Sequence, residues 1–158
     1  MRYWVRSSGR AALTPAAARP WIEADQTLGR ALDLFGKRHL EQAEAVGREG
    51  LTIDPMNAEL YHCLGSVLRA RGRLEDAGAM LEVARNLSPR NPRIINDLGL
   101  VRDAQGRLHE ASLLFSTART LPGGSIAAHL NYANALAKLH RTRAALEVFQ
   151  TQIGRAHV

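Results

Sequence analysis

The chain has 158 residues, a length that predicts a single domain. Its formal charge of +6 suggests nucleic acid or a membrane surface as a partner until the charge is located. Residues 1–20 hold four arginines and no acid, whereas residues 21–152 hold 16 basic and 15 acidic side chains. A near-neutral stretch is weak support for phosphate binding, so we expect no nucleic-acid partner. No apolar run approaches the roughly 20 residues that span a bilayer, so we expect no membrane span.

The first segment, residues 1–20, is rich in Arg, Ala, Ser and Pro, and we expect a disordered basic lead. The run from Ala11 to Ala18 is small and interrupted by Pro15, which makes it a poor core for a signal peptide. We therefore expect a cytoplasmic protein, with secretion as the alternative. The single cysteine, Cys63, excludes an internal disulfide and does not define a redox compartment.

A first helix is predicted from Trp21 to Lys37, because Pro20 suits a first turn and the apolar residues that follow form one broad face. A second helix is predicted from Leu40 to Thr52. It carries Gly47 and Gly50 where later copies of the pattern have large or methyl-bearing side chains. Each glycine in a helix interior costs about 1 kcal/mol relative to alanine. This pair of helices should therefore be the loosest.

The next pair is the best formed. A helix is predicted over 58–71, and Gly72 ends it, because the residue after a helix favours the left-handed conformation that glycine adopts without strain. Leu74 opens the second helix of the pair. Asn91 is a suitable N-cap for the helix after it, and Pro92 suits its first position.

The last two pairs repeat this arrangement with changes. The third ends in Pro122-Gly123-Gly124, a flexible join, and Ser125 is predicted to cap the next helix. In the fourth pair, His140 occupies the position of Gly72. Histidine tolerates a positive φ better than bulky residues do.

These helix pairs recur at a strict interval of 34 residues without insertion, which indicates a repeat array. Gly65 and Ala77 are expected where paired helices cross, since small side chains let backbones approach closely. The repeating positions are Ala43, Ala77, Ala111 and Ala145; Leu40, Leu74 and Leu108; and Leu34, Leu68 and Leu136, with Arg102 interrupting the last series.

Seven positions of the second copy carry a family resemblance: Tyr61, Leu64, Gly65, Ala77, Leu81, Ala84 and Pro89. They resemble the tetratricopeptide repeat (TPR) residue by residue, with Tyr61 at the family's tryptophan position. The likeness extends from Ala24 to about Gln152. It implies an all-α, right-handed α-solenoid of antiparallel helix pairs (a TPR superhelix) with about four repeats. The repeats would be 24–57 (degenerate), 58–91, 92–125 and 126–152 (incomplete), within an array over 21–152. A pentatricopeptide RNA reader would repeat at 35 residues, and the intervals exclude it.

The sequence offers little support for catalysis. It contains no HExxH, no CxxC and no glycine-rich phosphate loop, so we expect no metal, no cofactor and no enzyme activity. Cys63 is expected to be a structural thiol, because no oriented base can be identified for it. The carboxylates Glu41, Glu44, Glu75 and Asp76 lie beside arginines, and solvated helix faces explain them.

A second stripe on the first helix of each pair is the candidate binding surface. Glu59, His62, Ser66 and Arg69 are spaced 3, 4 and 3 residues apart. In TPR proteins this stripe lines a concave groove that holds a peptide or helix. The resemblance therefore implies a peptide-binding groove of Glu59, His62, Ser66, Arg69, Arg93, Asn96, Asp97, Leu100, Asp103, Asn131, Asn134 and Lys138.

Comparison with two kinds of TPR groove indicates which type of peptide the chain could bind. TPR domains that clamp a chaperone's C-terminal carboxylate set cations at fixed positions, but those positions hold His62, Ser66, Asp97, Ala127 and Asn131, so we reject that function. Asp97, Asn131 and Asn134 resemble the asparagine ladder of some TPR grooves, in which amide side chains hydrogen-bond a peptide backbone. Alternatively, Asn96 and Asn131 are ordinary solvated helix residues.

We therefore favour a non-catalytic scaffold that binds a protein or peptide partner. The alternative is the N-terminal targeting or regulatory array of a larger enzyme, such as a bacterial TPR-linked transferase, truncated after Gln152. A pilus- or secretion-assembly TPR protein is a third hypothesis. Residues 153–158 match one reading frame of a common sequencing adapter, so we expect a non-native tail. The apolar last helix, Thr142–Ile153, favours truncation, with self-association through that end as the alternative.

Overall fold

A computed structural model describes residues 20–140 and 144–150, and within these ranges the chain forms helices and short connections without a strand. The helices are α1 (Pro20–Gly36), α2 (Leu40–Ile53), α3 (Ala58–Ala70), α4 (Leu74–Leu87), α5 (Pro92–Ala104), α6 (Leu108–Thr120) and α7 (Ile126–Lys138). Residues 144–150 are also helical. The predicted all-α class is confirmed, and the bounds predicted for the first three helices differ by one residue from those observed.

The helices stack in chain order. α1 packs on α2, α3 on α4 and α5 on α6, and each pair packs on the next through α2 with α3, α4 with α5 and α6 with α7. The first helices also contact one another in series, from α1 to α3, α3 to α5 and α5 to α7. This is the predicted α-solenoid of helix pairs.

The N-terminal caps of α3, α5 and α7 recur at the repeat interval. Asn57 accepts hydrogen bonds from the backbone N–H groups of Glu59 and Leu60, Asn91 accepts one from Arg93, and Ser125 accepts one from Ala128. Each cap pairs an N–H group that the helix leaves unsatisfied. The caps at Asn91 and Ser125 were predicted, and Asn57 completes the series.

The turns inside the pairs share one backbone conformation. Gly72 and Gly106 have φ of 77°, and His140 in the corresponding position has φ of 58°. Arg38 lies in the same position of the first pair, with φ of 64°, and sequence analysis missed it. In the second pair the N–H of Arg73 donates to the carbonyl of Leu68 over 3.0 Å, which closes the helix end.

Close helix crossings explain the glycines at 65 and 99. A Cβ on Gly65 would lie 2.5 Å from Cγ of Leu81, and one on Gly99 would lie 2.6 Å from Cε1 of Phe115. Leu81 is therefore the residue that packs against Gly65 where the two helices cross. The fully buried Ala77 lies in the same core cluster as Leu81.

The two glycines of α2 also have neighbours. A Cβ on Gly47 would lie 2.9 Å from Cδ2 of Leu64, and one on Gly50 would lie 2.8 Å from Cδ2 of Leu60. These glycines admit the leucines of α3, so part of their cost in helix propensity is recovered as close packing. That this pair is the loosest stays a prediction.

One carboxylate, that of Glu44, lies in the interior of the described chain. Glu44, expected to be solvated, is buried because Arg48, Arg71 and Arg73 surround its carboxylate. Burial alone would raise the pKa of Glu44, but hydrogen bonds from Arg48 and Arg71 outweigh it and lower the pKa. The solvated-face prediction was wrong for this residue, because sequence spacing does not reveal the arginines of the next repeat.

Arg102 occupies a repeat position that holds leucine in the other pairs, and its guanidinium is provided with acceptors from the chain. Its guanidinium donates to Glu82 and Gln105, each over 2.9 Å. Gly78 provides space for this guanidinium, since a Cβ there would lie 3.1 Å from Nη1 of Arg102. The interruption of the apolar pattern is thus a polar link between α4 and α5.

The predicted lead over 1–20 lies outside the described residues except for Pro20, the first residue of α1. The predicted tail over 153–158 lies wholly outside them. Leu146, in helix 144–150, is 56 % exposed, and self-association there stays a prediction. Among the described residues, no helix is both long and apolar enough to cross a bilayer.

Candidate binding site on the first helices

The candidate site is a polar surface shared by α3, α5 and α7, which we call the first-helix wall. Its defining contacts join residues of adjacent first helices that lie 35 apart in sequence: His62 with Asp97, Asn96 with Asn131, and Asp103 with Lys138. Because each rung links one repeat to the next, the predicted stripe forms one connected surface.

The rung between α3 and α5 contains a buried histidine. His62 is 6 % exposed, and its Nε2 lies 2.8 Å from Oδ2 of Asp97. Burial alone would raise the pKa of Asp97, but the hydrogen bond and charge of His62 outweigh it and lower the pKa. An ionised carboxylate only accepts hydrogen bonds, so Nε2 of His62 carries the proton. Ser66 adds a longer bond to the same oxygen, over 3.4 Å.

The first rung between α5 and α7 is an amide pair. Nδ2 of Asn131 donates to Oδ1 of Asn96 over 2.9 Å, and Nδ2 of Asn96 donates to Asp97 over 3.3 Å. Asn96 is 9 % exposed. The alternative that Asn96 is an ordinary solvated residue is therefore wrong.

A cavity lies beside the second rung between α5 and α7, where Nζ of Lys138 lies 2.6 and 2.8 Å from the two carboxylate oxygens of Asp103. The cavity has a volume of about 310 Å³. Its lining combines three apolar residues with polar ones, and consists of Leu100, Phe115, Ala137, Asp103, Asn131, Asn134 and Lys138. It has the size and chemistry to accept a side chain from a guest while amides bond the guest's backbone.

Arg69 differs from the charged residues that form the rungs. Its Nε is shut off from solvent and has no hydrogen-bond partner among the described residues. No carboxylate of the described chain lies within ion-pair distance of its guanidinium, although the charge of Arg69 helps to lower the pKa of Asp97. Arg69 is therefore a half-buried cation with spare donors.

Most of the predicted groove residues lie together on the first-helix wall. The residues that form a side-chain contact there or line the cavity are His62, Ser66, Asn96, Asp97, Leu100, Asp103, Asn131, Asn134 and Lys138. Glu59 joins them at one end, because its carboxylate accepts from Asn91 over 3.1 Å and lies 3.6 Å from Nδ1 of His62. Arg93 is exposed on α5 and makes none of these side-chain contacts.

Leu32 lies on α1, 34 residues before Ser66, and is 49 % exposed. Leu32 is absent from the predicted groove, although subtracting one repeat from Ser66 would have found it. Cys63 is buried, and burial followed by the charge of Glu59 raises the pKa of its thiol to about 11. A thiol with that pKa stays protonated near neutrality, which agrees with a structural role.

The described residues contain no cluster of three or more His, Cys, Asp or Glu side chains that could hold a metal ion. Two further cavities, of about 450 and 480 Å³, lie away from the first-helix wall. The first is lined by residues of the α1–α2 turn, the start of α2 and Arg71, and the second by residues of α1 and α2.

No protein-family profile and no curated protein matches the sequence. Solved structures do match. The pilF protein of Pseudomonas aeruginosa is 23% identical with a TM-score of 0.78, covering 84% of this chain and 60% of its own. The Sgt2 TPR domain from Aspergillus fumigatus is 19% identical with a TM-score of 0.72, covering 77% of this chain and 82% of its own. The second TPR domain of human RPAP3, in complex with an HSP70 peptide, is 22% identical with a TM-score of 0.68, covering 73% of this chain and 97% of its own. The chain thus has the TPR fold.

Proposed function

We propose that this protein is a non-catalytic scaffold that holds a peptide or a helix of a protein partner along the first-helix wall. The observation that carries the proposal is the rung system, which joins three repeats into one polar surface with a cavity beside it. The RPAP3 domain of similar fold was solved with a peptide bound, which supports the same kind of guest.

The chemistry of the wall suits a peptide. Asn131 and Asn134 border the cavity, and an amide side chain offers both a donor and an acceptor to a peptide backbone. Leu100 and Phe115 supply apolar contact within the cavity. Backbone bonding together with a side-chain pocket is a general way to bind an extended segment. No cofactor is needed for this role.

The test is capture of short random peptides from a display library. We expect the wild type to enrich a set of peptides and the double variant Arg69→Glu with Asn131→Ala to recover far fewer. The first change reverses a charge on the wall, and the second removes an amide beside the cavity. The matched control is Arg30→Glu with Gln42→Ala, which alters the cavity between α1 and α2 instead.

Circular dichroism and thermal unfolding establish that each variant keeps its helices. Equal recovery by the wild type and the wall variant would contradict the proposal. Loss of recovery with the α1–α2 control alone would place binding on a different surface and contradict it as well.

A further inference from the structure

The charges of the first-helix wall are not equally available to a guest. Glu59 accepts from Asn91, Asp97 is hydrogen-bonded by His62, and Asp103 is held by Lys138. Each carboxylate of the wall therefore already has a donor from the chain itself. A guest cation would have to displace one of these donors, which leaves a partly buried group unpaired.

The available charge is positive instead. Arg69 is half-buried and forms no ion pair within the described chain. Its Nε is shut off from solvent, so the two terminal nitrogens of the guanidinium are the donors that a guest could reach. The 35-residue rungs explain why, because the residue 35 after Arg69 is Ala104, whose methyl group accepts no hydrogen bond. Arg69 thus has no acceptor on the next first helix, and a partner that supplies an acceptor could bind its guanidinium.

The surroundings of Arg69 limit what that acceptor can be. Ser66 reaches Asp97 across 31 residues, and Leu100, which lines the cavity, is the residue 31 after Arg69. From this register we infer that Arg69 lies across from Leu100, although Arg69 does not itself line the cavity. Asp97 and Asp103 lie on the same helix as Leu100, and each accepts a hydrogen bond from a side chain of the same protein. A nucleic acid or polyphosphate would be repelled by these carboxylates, whereas a single carboxylate beside apolar atoms would not.

We propose that Arg69 binds the side-chain carboxylate of an Asp or Glu within a guest peptide, while the cavity at Leu100 takes an apolar side chain of the same guest. The inference rests on the proposed function and deepens it by naming the guest as an acidic–apolar segment. The carboxylate is an internal one, because the positions that clamp a C-terminal carboxylate in other TPR domains here include the acid Asp97.

The experiment analyses the sequences that the display selection enriches. The peptides are fused through their C-termini, so no free C-terminal carboxylate is offered. Wild-type protein should enrich peptides in which an Asp or Glu lies a few residues from Leu, Ile or Met. Arg69→Gln should lose the acidic preference and keep the apolar one. The control Arg30→Gln removes an equal charge on α1 and should keep both.

A second measurement starts with wild-type protein, so its first comparison does not depend on a variant that folds. An enriched peptide is synthesised with its Glu replaced by Gln, or its Asp by Asn, and its affinity for wild-type protein is measured by calorimetry. We expect affinity to fall about tenfold, the usual scale for loss of a charged hydrogen-bonded pair. The amide and acid peptides should bind Arg69→Gln equally well.

The outcomes separate the two proposals. Peptides enriched without an acidic preference, or an acidic preference that survives Arg69→Gln, would overturn this inference and leave the peptide scaffold standing. No enrichment by wild-type protein would overturn both. Tighter binding of a single-stranded DNA oligonucleotide than of any enriched peptide would also overturn the inference, in favour of a nucleic-acid partner.

Discussion

Four residues in one position of the repeat adopt a positive φ, and only two of them are glycine. The other two, Arg38 and His140, carry a Cβ into a conformation that costs an L-residue about 1–2 kcal/mol. The turn is nevertheless kept, because the helix-closing hydrogen bonds need that conformation. The N–H of His39 donates to the carbonyl of Leu34 over 2.9 Å in the first pair.

Arg38→Gly should therefore stabilise the protein by about 1 kcal/mol, and Gly72→Ala should destabilise it by a similar amount. Urea unfolding followed by circular dichroism measures both changes. Lys37→Gly is the control, since Lys37 precedes the turn position and has no positive φ to relieve. A gain for Lys37→Gly equal to that of Arg38→Gly would contradict the explanation.

The lowered pKa of Asp97 also predicts that the free energy of unfolding decreases at acidic pH. The pKa of Asp97 is lowered below its usual 3.8 in the folded state, so its ionised form favours folding above that pH. This contribution disappears as the pH falls through the lowered pKa. The free energy of unfolding should decline below pH 4 in wild type and decline less steeply in Asp97→Asn. Glu75→Gln, an exposed carboxylate on α4, should leave the slope unchanged.

At the scale of the element, the helix crossings depend on which glycines face a large side chain. Gly65 meets Leu81, whereas a Cβ on Gly29 would have no atom within 4 Å. Both glycines lie inside a first helix, so alanine improves the helix propensity equally at the two positions. Packing alone then decides between them.

Gly29→Ala should stabilise the protein by about 1 kcal/mol, the helix-propensity difference. Gly65→Ala should destabilise it by about 1–3 kcal/mol, because overpacking exceeds that gain. Thermal unfolding of the two variants measures the contrast. Stabilisation by both substitutions would show that α3 and α4 do not cross as closely as described.

Local signals predicted the elements well and the contacts between repeats poorly. Gly72, Asn91 and Ser125 mark helix ends through backbone chemistry that acts within a few residues, so the sequence reveals them directly. The burial of Glu44 and the pairing of Arg102 depend on side chains outside their own helices, between 20 and 29 residues away in sequence. Their partners become apparent only after the helices are stacked.

At the scale of the whole molecule, the 34-residue period places equivalent helices side by side, and rungs between residues 35 apart connect them. A repeat array gains its stability from such contacts between neighbours. The period predicted which helices would form the wall. It did not predict that Arg69 would lack a partner, because this depends on the register of the rungs and on Ala104.

The central claim is that a guest peptide lies on the first-helix wall, and amide chemical-shift mapping with an enriched peptide tests it most directly. The account predicts that the largest shifts fall on α3, α5 and α7, around Arg69, Leu100 and Asn131. Shifts confined to the second helices α2, α4 and α6 would contradict it.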